Sequence, residues 1–102
     1  MARDLFINLP KDLKKFVEVE KTHPVGIGGV QTILKFPNEY GASIVKFDGS
    51  YGFESGLWEM AVIRFEGEGW EITYDTPITN DVLGYLSKED VITHLQEVQK
   101  LN

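Results

Sequence analysis

Gly56-Leu57-Trp58-Glu59-Met60-Ala61-Val62-Ile63-Arg64-Phe65, then Glu66-Gly67-Glu68-Gly69, then Trp70-Glu71-Ile72-Thr73-Tyr74-Asp75: two segments rich in aromatic and β-favouring residues enclose a short glycine turn, the pattern of a β-hairpin. The stretch holds both tryptophans of the chain, so it is expected to supply the largest pieces of the core. In the first segment Trp58, Met60 and Val62 share a face with Arg64, while Leu57, Ala61, Ile63 and Phe65 share the other with Glu59. Neither face is polar, which fits a central strand, Leu57 to Phe65, covered on both sides. The second segment alternates sharply. Trp70, Ile72 and Tyr74 are predicted to face in, and Glu71, Thr73 and Asp75 to face out.

Upstream, Val30 to Phe36 and Tyr40 to Phe47 read as two strands joined by the turn Pro37-Asn38-Glu39, so they are expected to pair antiparallel. Near the N-terminus, Leu13, Phe16 and Val17 recur at helical spacing and Pro10 is tolerated in a first turn, which predicts a short helix from about Pro10 to Glu20. Against it stands a strand over Phe16 to Glu20, because Val17 and Val19 alternate with Glu18 and Glu20. Either element ends by His23-Pro24, since the residue before proline is pushed out of the helical region. Asp48 to Gly56 is too glycine-rich for a strand interior and reads as a long loop carrying Tyr51 and Phe53.

Downstream, Thr76 to Asp81 is a turn-forming link, and Val82 to Leu86 is a short fifth strand or an extended connector. Ser87 then opens the best-specified helix. Its hydroxyl can cap, Asp90 stands three residues on as in a capping box, and Leu86 and Val91 occupy the staple positions. Val91, Leu95 and Val98 form an apolar stripe with Ile92 and Leu101 beside it, which directs this helix onto one face of the sheet. The expected fold is one α+β domain over residues 1–102, an antiparallel meander of four or five strands with the C-terminal helix packed on one face and a shorter N-terminal helix beside it.

Composition narrows the chemistry. The chain has 102 residues with 42% hydrophobic and 12% aromatic content, ordinary values for one globular core. With no cysteine, disulfides, thiolate nucleophiles and cysteine metal sites are excluded. No run of about 18 apolar residues occurs, and the start Met1-Ala2-Arg3-Asp4-Leu5-Phe6 does not read as a signal peptide, so a cytoplasmic protein without membrane contact is expected. The net charge of −6 is unevenly spread: residues 1–38 hold six Lys/Arg and four Asp/Glu, and residues 39–102 hold four and twelve. A surface of that sign repels phosphate backbones and anionic lipid, so direct nucleic-acid binding is not expected and a basic partner is open.

Motifs for catalysis or cofactors fall short of their requirements. Gly26-Ile27-Gly28-Gly29 lacks the third glycine of a dinucleotide loop, where Gln31 stands, and no Gly-Lys-Ser/Thr follows. Asp48, Ser50, Glu54 and Glu59 echo a calcium loop, but Phe53 stands at its obligatory glycine and the flanks read as strands. His23 sits in a linker and His94 on the flank of the C-terminal helix, and no Gly-x-Ser-x-Gly elbow accompanies them. Glu59 and Arg64, in a strand otherwise apolar, read as a structural ion pair or as an arginine reaching the sheet edge. No catalytic, cofactor or metal site is therefore assigned, and the protein is read as a non-enzyme with no cofactor.

The expected contact residues are Tyr51, Phe53 and Glu54 in the long loop, and Glu66, Glu68, Glu71 and Asp75 on the hairpin. Trp58, Met60, Val62, Trp70 and Ile72 are assigned to folding. The carboxylates also admit a decoy role, in which they present a charge track resembling nucleic acid to a host protein that binds it. An apolar sheet face admits a homo-oligomeric structural or assembly subunit.

Around Gly56-Leu57-Trp58-Glu59-Met60-Ala61-Val62, Thr76-Pro77-Ile78-Thr79-Asn80-Asp81-Val82-Leu83-Gly84-Tyr85-Leu86 and Phe36-Pro37-Asn38-Glu39-Tyr40-Gly41-Ala42-Ser43, the chain resembles small uncharacterised proteins carried by bacteriophages and prophages. That resemblance takes in most of the chain after Gly26. It implies a small accessory protein in an infected or lysogenic bacterium, acting through a protein partner or by self-association, and it carries no site residues with it.

Overall fold

In the computed structural model, which describes residues 6–22, 29–47, 50, 52–79 and 81–101, the quoted stretch forms a hairpin at one side of a six-stranded antiparallel sheet. The strands are β1 (Val17–Thr22), β2 (Val30–Lys35), β3 (Tyr40–Lys46), β4 (Trp58–Glu66), β5 (Gly69–Ile72) and β6 (Leu83–Leu86). They are accompanied by the short helix α1 (Lys11–Lys14), a 3-10 turn Phe53–Ser55 and the helix α2 (Lys88–Gln99). Strands β1 to β5 pair in sequence, and β6 returns to pair with β4. The fold is the expected α+β arrangement, with one strand more than the meander needed.

The extra strand completes β4. Residues Ile63 to Glu66 pair with β5, and Trp58 and Met60 pair with Leu86 and Leu83 of β6. Two short strands thus share one edge of β4 while β3 occupies the other, and residues Met60 to Ile63 are all buried. A bulge interrupts the β4–β6 register, and within it Tyr85 takes a φ of 57°, a left-handed conformation that costs a non-glycine residue roughly 1–2 kcal/mol. The turn of the β4–β5 hairpin has Gly67 at φ 61°, the position a two-residue hairpin loop reserves for glycine.

Register assigns the faces. Val30, Leu34, Ala42, Ile44, Trp58, Met60 and Val62 join Val91, Leu95 and Val98 of α2, together with Ile7, Leu9 and Leu13, in one core. Each fully buried aliphatic side chain of α2 contributes about 1.5–3 kcal/mol. The N-cap is as read: Ser87 Oγ accepts from Asp90 N at 3.1 Å, and Ser87 N donates to the Asp90 carboxylate at 3.2 Å. The C-terminal end is capped from a distance. Asn38, in the β2–β3 turn, donates from Nδ2 to the carbonyls of Val98, Gln99 and Leu101 at 2.9, 3.2 and 2.9 Å, satisfying carbonyls that a helix end leaves without partners.

The opposite face carries Ile33, Val45, Ala61 and Ile63, all buried, although no helix among the described elements packs on it. Phe65 lies across Gly41, where a Cβ would stand 2.9 Å from the phenyl ring, and the Lys35 ammonium lies 5.1 Å from the centre of that ring. Glycine at 41 is therefore a space requirement, set first by the Leu34 carbonyl oxygen, which such a Cβ would strike, and then by the Phe65 ring.

Three expectations are corrected. The segment from Pro10 to Glu20 is not one helix: α1 ends at Lys14 and β1 begins at Val17. A bulge between Val17 and Val19 sets them opposite Leu34 and Ile33, so the two valines face opposite sides of the sheet and each finds apolar neighbours, which one helical stripe cannot provide. Secondly, Trp70, Ile72 and Tyr74 do not face a covered interior; they are 39%, 38% and 48% exposed. Their alternation is real, but register sets Trp70 beside Phe65 and Ile72 beside Ile63, on the face that α2 does not cover, and β5 lies at the sheet edge. Thirdly, Arg64 is exposed, so β4 is covered on both faces only in its middle.

Two substitutions test this packing. Thr32 is wholly buried on the α2 side and its hydroxyl has no hydrogen-bond partner; Thr32→Val is expected to raise stability by about 1 kcal/mol, read as a higher urea midpoint at unchanged slope. In Gly41→Ala the new methyl runs into the Leu34 carbonyl as well as Phe65, and a loss of about 3 kcal/mol is expected in the same measurement.

Candidate functional site

Four exposed carboxylates, Glu66, Glu68, Glu71 and Asp75, gather on or next to the β4–β5 hairpin. Register places Arg64 opposite Glu71, and Phe65 opposite Trp70. Carboxylates and aromatics of the hairpin therefore fall on opposite faces of one short ribbon. Every residue of β5 is exposed, as are Glu66, Glu68 and Asp75. A cleft of about 340 Å³ is lined by Arg64, Glu66, Glu71, Tyr74 and Asp75, and an adjoining hollow of about 270 Å³ lies among Glu66, Gly69, Trp70 and Glu71.

Little neutralises these acids. The Arg64 guanidinium does not form an ion pair with Glu71; it lies 5.7 Å from the centre of the Tyr40 ring, within the range of a cation–π contact. His94 Nδ1 lies 2.7 Å from Glu97 Oε1 on α2, a hydrogen bond that is an ion pair only when the imidazole is protonated. That pair accounts for His94 as a helix-surface residue. Glu59, paired in register with Val45, is half-buried, and no Glu59–Arg64 ion pair joins the two charges that the sequence set apart.

The expected contact residues divide between the two ends of β4. Glu66, Glu68, Glu71 and Asp75 stay together at the hairpin. Glu54 is exposed in the 3-10 turn that leads into the other end of β4, where Phe53 opens that turn. Nine strand residues separate the ends by roughly 27 Å at strand rise. Tyr51 lies outside the described residues, as do His23, Asp48 and most of the Gly26 to Gly29 loop.

Trp70, Ile72 and Tyr74 are the site residues that sequence reasoning missed, because alternation tells which residues share a face and not which face is covered. Register sets Trp70 beside Phe65 and Ile72 beside Ile63, on the face away from α2, and no local signal in the sequence says which face the helix takes. A further cleft, about 540 Å³, lies elsewhere, between residues 6–9 and β1, with Lys14 and Glu20 at its wall. Among the described residues no three histidine or carboxylate side chains are grouped as metal ligands, and no helix is long and apolar enough to cross a membrane.

Compared with protein-family models, curated proteins and solved structures, the chain matches none.

The two tryptophans report on this electrostatic picture. Trp58 is 9% exposed with the Lys46 ammonium 4.8 Å from its ring, whereas Trp70 stands in the open beside the carboxylates. In a Trp58→Phe variant, with each ion's quenching taken relative to its quenching of free tryptophan, the remaining emission is expected to be quenched more strongly by caesium than by iodide, since a negative field concentrates cations. In Trp70→Phe both ions should quench weakly, and equal relative quenching of Trp70 by the two would remove the claim of a local negative field.

Proposed function

We propose that this is a bacteriophage or prophage accessory protein of the bacterial cytoplasm that acts without catalysis, by holding another protein on the β4–β5 hairpin. The observation that carries the reading is the exposure of Trp70 and Tyr74, 39% and 48%, beside four carboxylates that no described side chain neutralises. Tryptophan and tyrosine are the residues that most often concentrate binding energy at protein interfaces, because they bring large contact area at small entropic cost. A fold that needed them only for stability would hide them, as it hides Trp58. The acidic surroundings weigh against a nucleic-acid ligand, whose phosphates the same field repels.

Affinity capture from lysate of a lysogenic or infected bacterium tests the proposal. The wild-type protein is expected to retain a specific protein that a Trp70→Ala/Tyr74→Ala variant loses, at unchanged thermal midpoint for the variant. Retention that the double variant leaves intact would remove the hairpin from the reading, and absence of any specific protein would remove the reading itself.

A further inference from the structure

Backbone geometry at β5 specifies how such a partner is held. Thr73 N donates to Val62 O at 2.9 Å, continuing the register in which Glu71 faces Arg64 and Gly69 faces Glu66. In an antiparallel ladder hydrogen-bonded pairs alternate with non-hydrogen-bonded ones. Thr73, Glu71 and Gly69 thus turn their amides toward β4, and Trp70 and Ile72 turn theirs away, toward an edge beside which no strand of the described residues lies: among these, β5 pairs with β4 alone, and β6 occupies the other end of β4.

We propose, resting on the protein-binding reading above, that this edge receives an extended segment of the partner as an added strand, and that the segment alternates basic with apolar residues. The pattern follows from register. Residues directly opposite on neighbouring strands share a face, so the partner residues beside Trp70 and Ile72 meet exposed apolar side chains, and the residue beside Glu71 meets a carboxylate in a field of three more, Glu66, Glu68 and Asp75. Charge complementarity also selects against a second copy of this chain, because β5 laid against β5 brings like carboxylates together. Main-chain hydrogen bonds to Trp70 and Ile72 hold the strand, and the alternating pockets choose it, the usual division of labour in strand addition.

The probe is a short end-capped peptide of alternating valine and lysine, with its valine–glutamate counterpart as control, titrated into the intact protein while amide exchange is followed by NMR. Binding of the lysine peptide is expected to slow exchange of the Trp70 and Ile72 amides at least tenfold, and to weaken with added salt. Glu71→Lys is expected to weaken it tenfold or more, whereas Glu89→Lys on α2, with the same change in net charge, should alter it less than twofold. Any of four results overturns the proposal: no binding, equal binding of the glutamate peptide, binding without protection of those two amides, or protection that grows with protein concentration in the absence of peptide, which marks a second copy. If capture from lysate remains dependent on Trp70 and Tyr74 while the peptide experiment fails, strand addition is lost and the protein-binding reading stands; loss of capture removes that reading separately.

Discussion

One helix has to serve six strands, and most of the structure follows from that shortage. Because β5 and β6 share one edge of β4, the sheet is five strands wide, and at a spacing of about 4.8 Å its outer strand axes lie roughly 19 Å apart, whereas one helix covers a band of about 10 Å. The fold responds in three ways. It splits the outer edge of β4 between two short strands, so that β6 delivers the chain directly into α2. It brings Ile7, Leu9 and Leu13 over the same face as α2. On the other face it lays Phe65 flat across Gly41. What these devices do not reach is β5, and there the aromatic residues stay in solvent.

Because α2 is the single long helix, its position has to be fixed at both ends. The N-terminal end is fixed locally, by the reciprocal bonds of Ser87 and Asp90 and by the burial of Leu86 and Val91 on either side of them. The C-terminal end is fixed non-locally, by Asn38. That residue also accepts from Tyr40 N through its own side-chain oxygen, so one amide group closes the β2–β3 turn and terminates the helix. The left-handed φ of 72° at Glu39 belongs to the same turn. Sheet and helix are therefore joined by a polar clamp at one end and by chain continuity at the other, with the apolar stripe between.

What could be read in advance sorts by range. The hairpin, the β2–β3 pair and the capped helix are written in neighbouring residues: Gly67 for the turn, Ser87 and Asp90 for the cap, alternation for the strands. Asn38 as a helix cap could not be read, because its acceptors stand about sixty positions away. The break between α1 and β1 was half legible, since both periodicities were present and the bulge that reconciles them depends on Leu34 and Ile33. The carboxylate group on the hairpin was legible as residues. That Trp70 and Ile72 accompany it in the open was not, because which face of the sheet α2 covers is a property of the assembled layers, and register puts both residues on the other face.

An exposed edge strand invites pairing with any other strand, and proteins blunt such edges by charge, by bulges or by keeping them short. The two edges of this sheet are blunted differently. β1 is interrupted by a bulge and carries Glu18, Glu20 and Lys21, so its edge is irregular and of mixed sign. β5 carries no proline and its ladder to β4 is regular; its protection is shortness and charge of one sign. Mixed charge discourages most partners weakly, whereas charge of one sign discourages like partners and attracts opposite ones. A strand that remains geometrically able to pair, but only with a segment of opposite charge, is filtered for its partner by electrostatics. That filter explains how Trp70 and Ile72 can stand at the rim of a free edge in a protein that has to avoid pairing with itself.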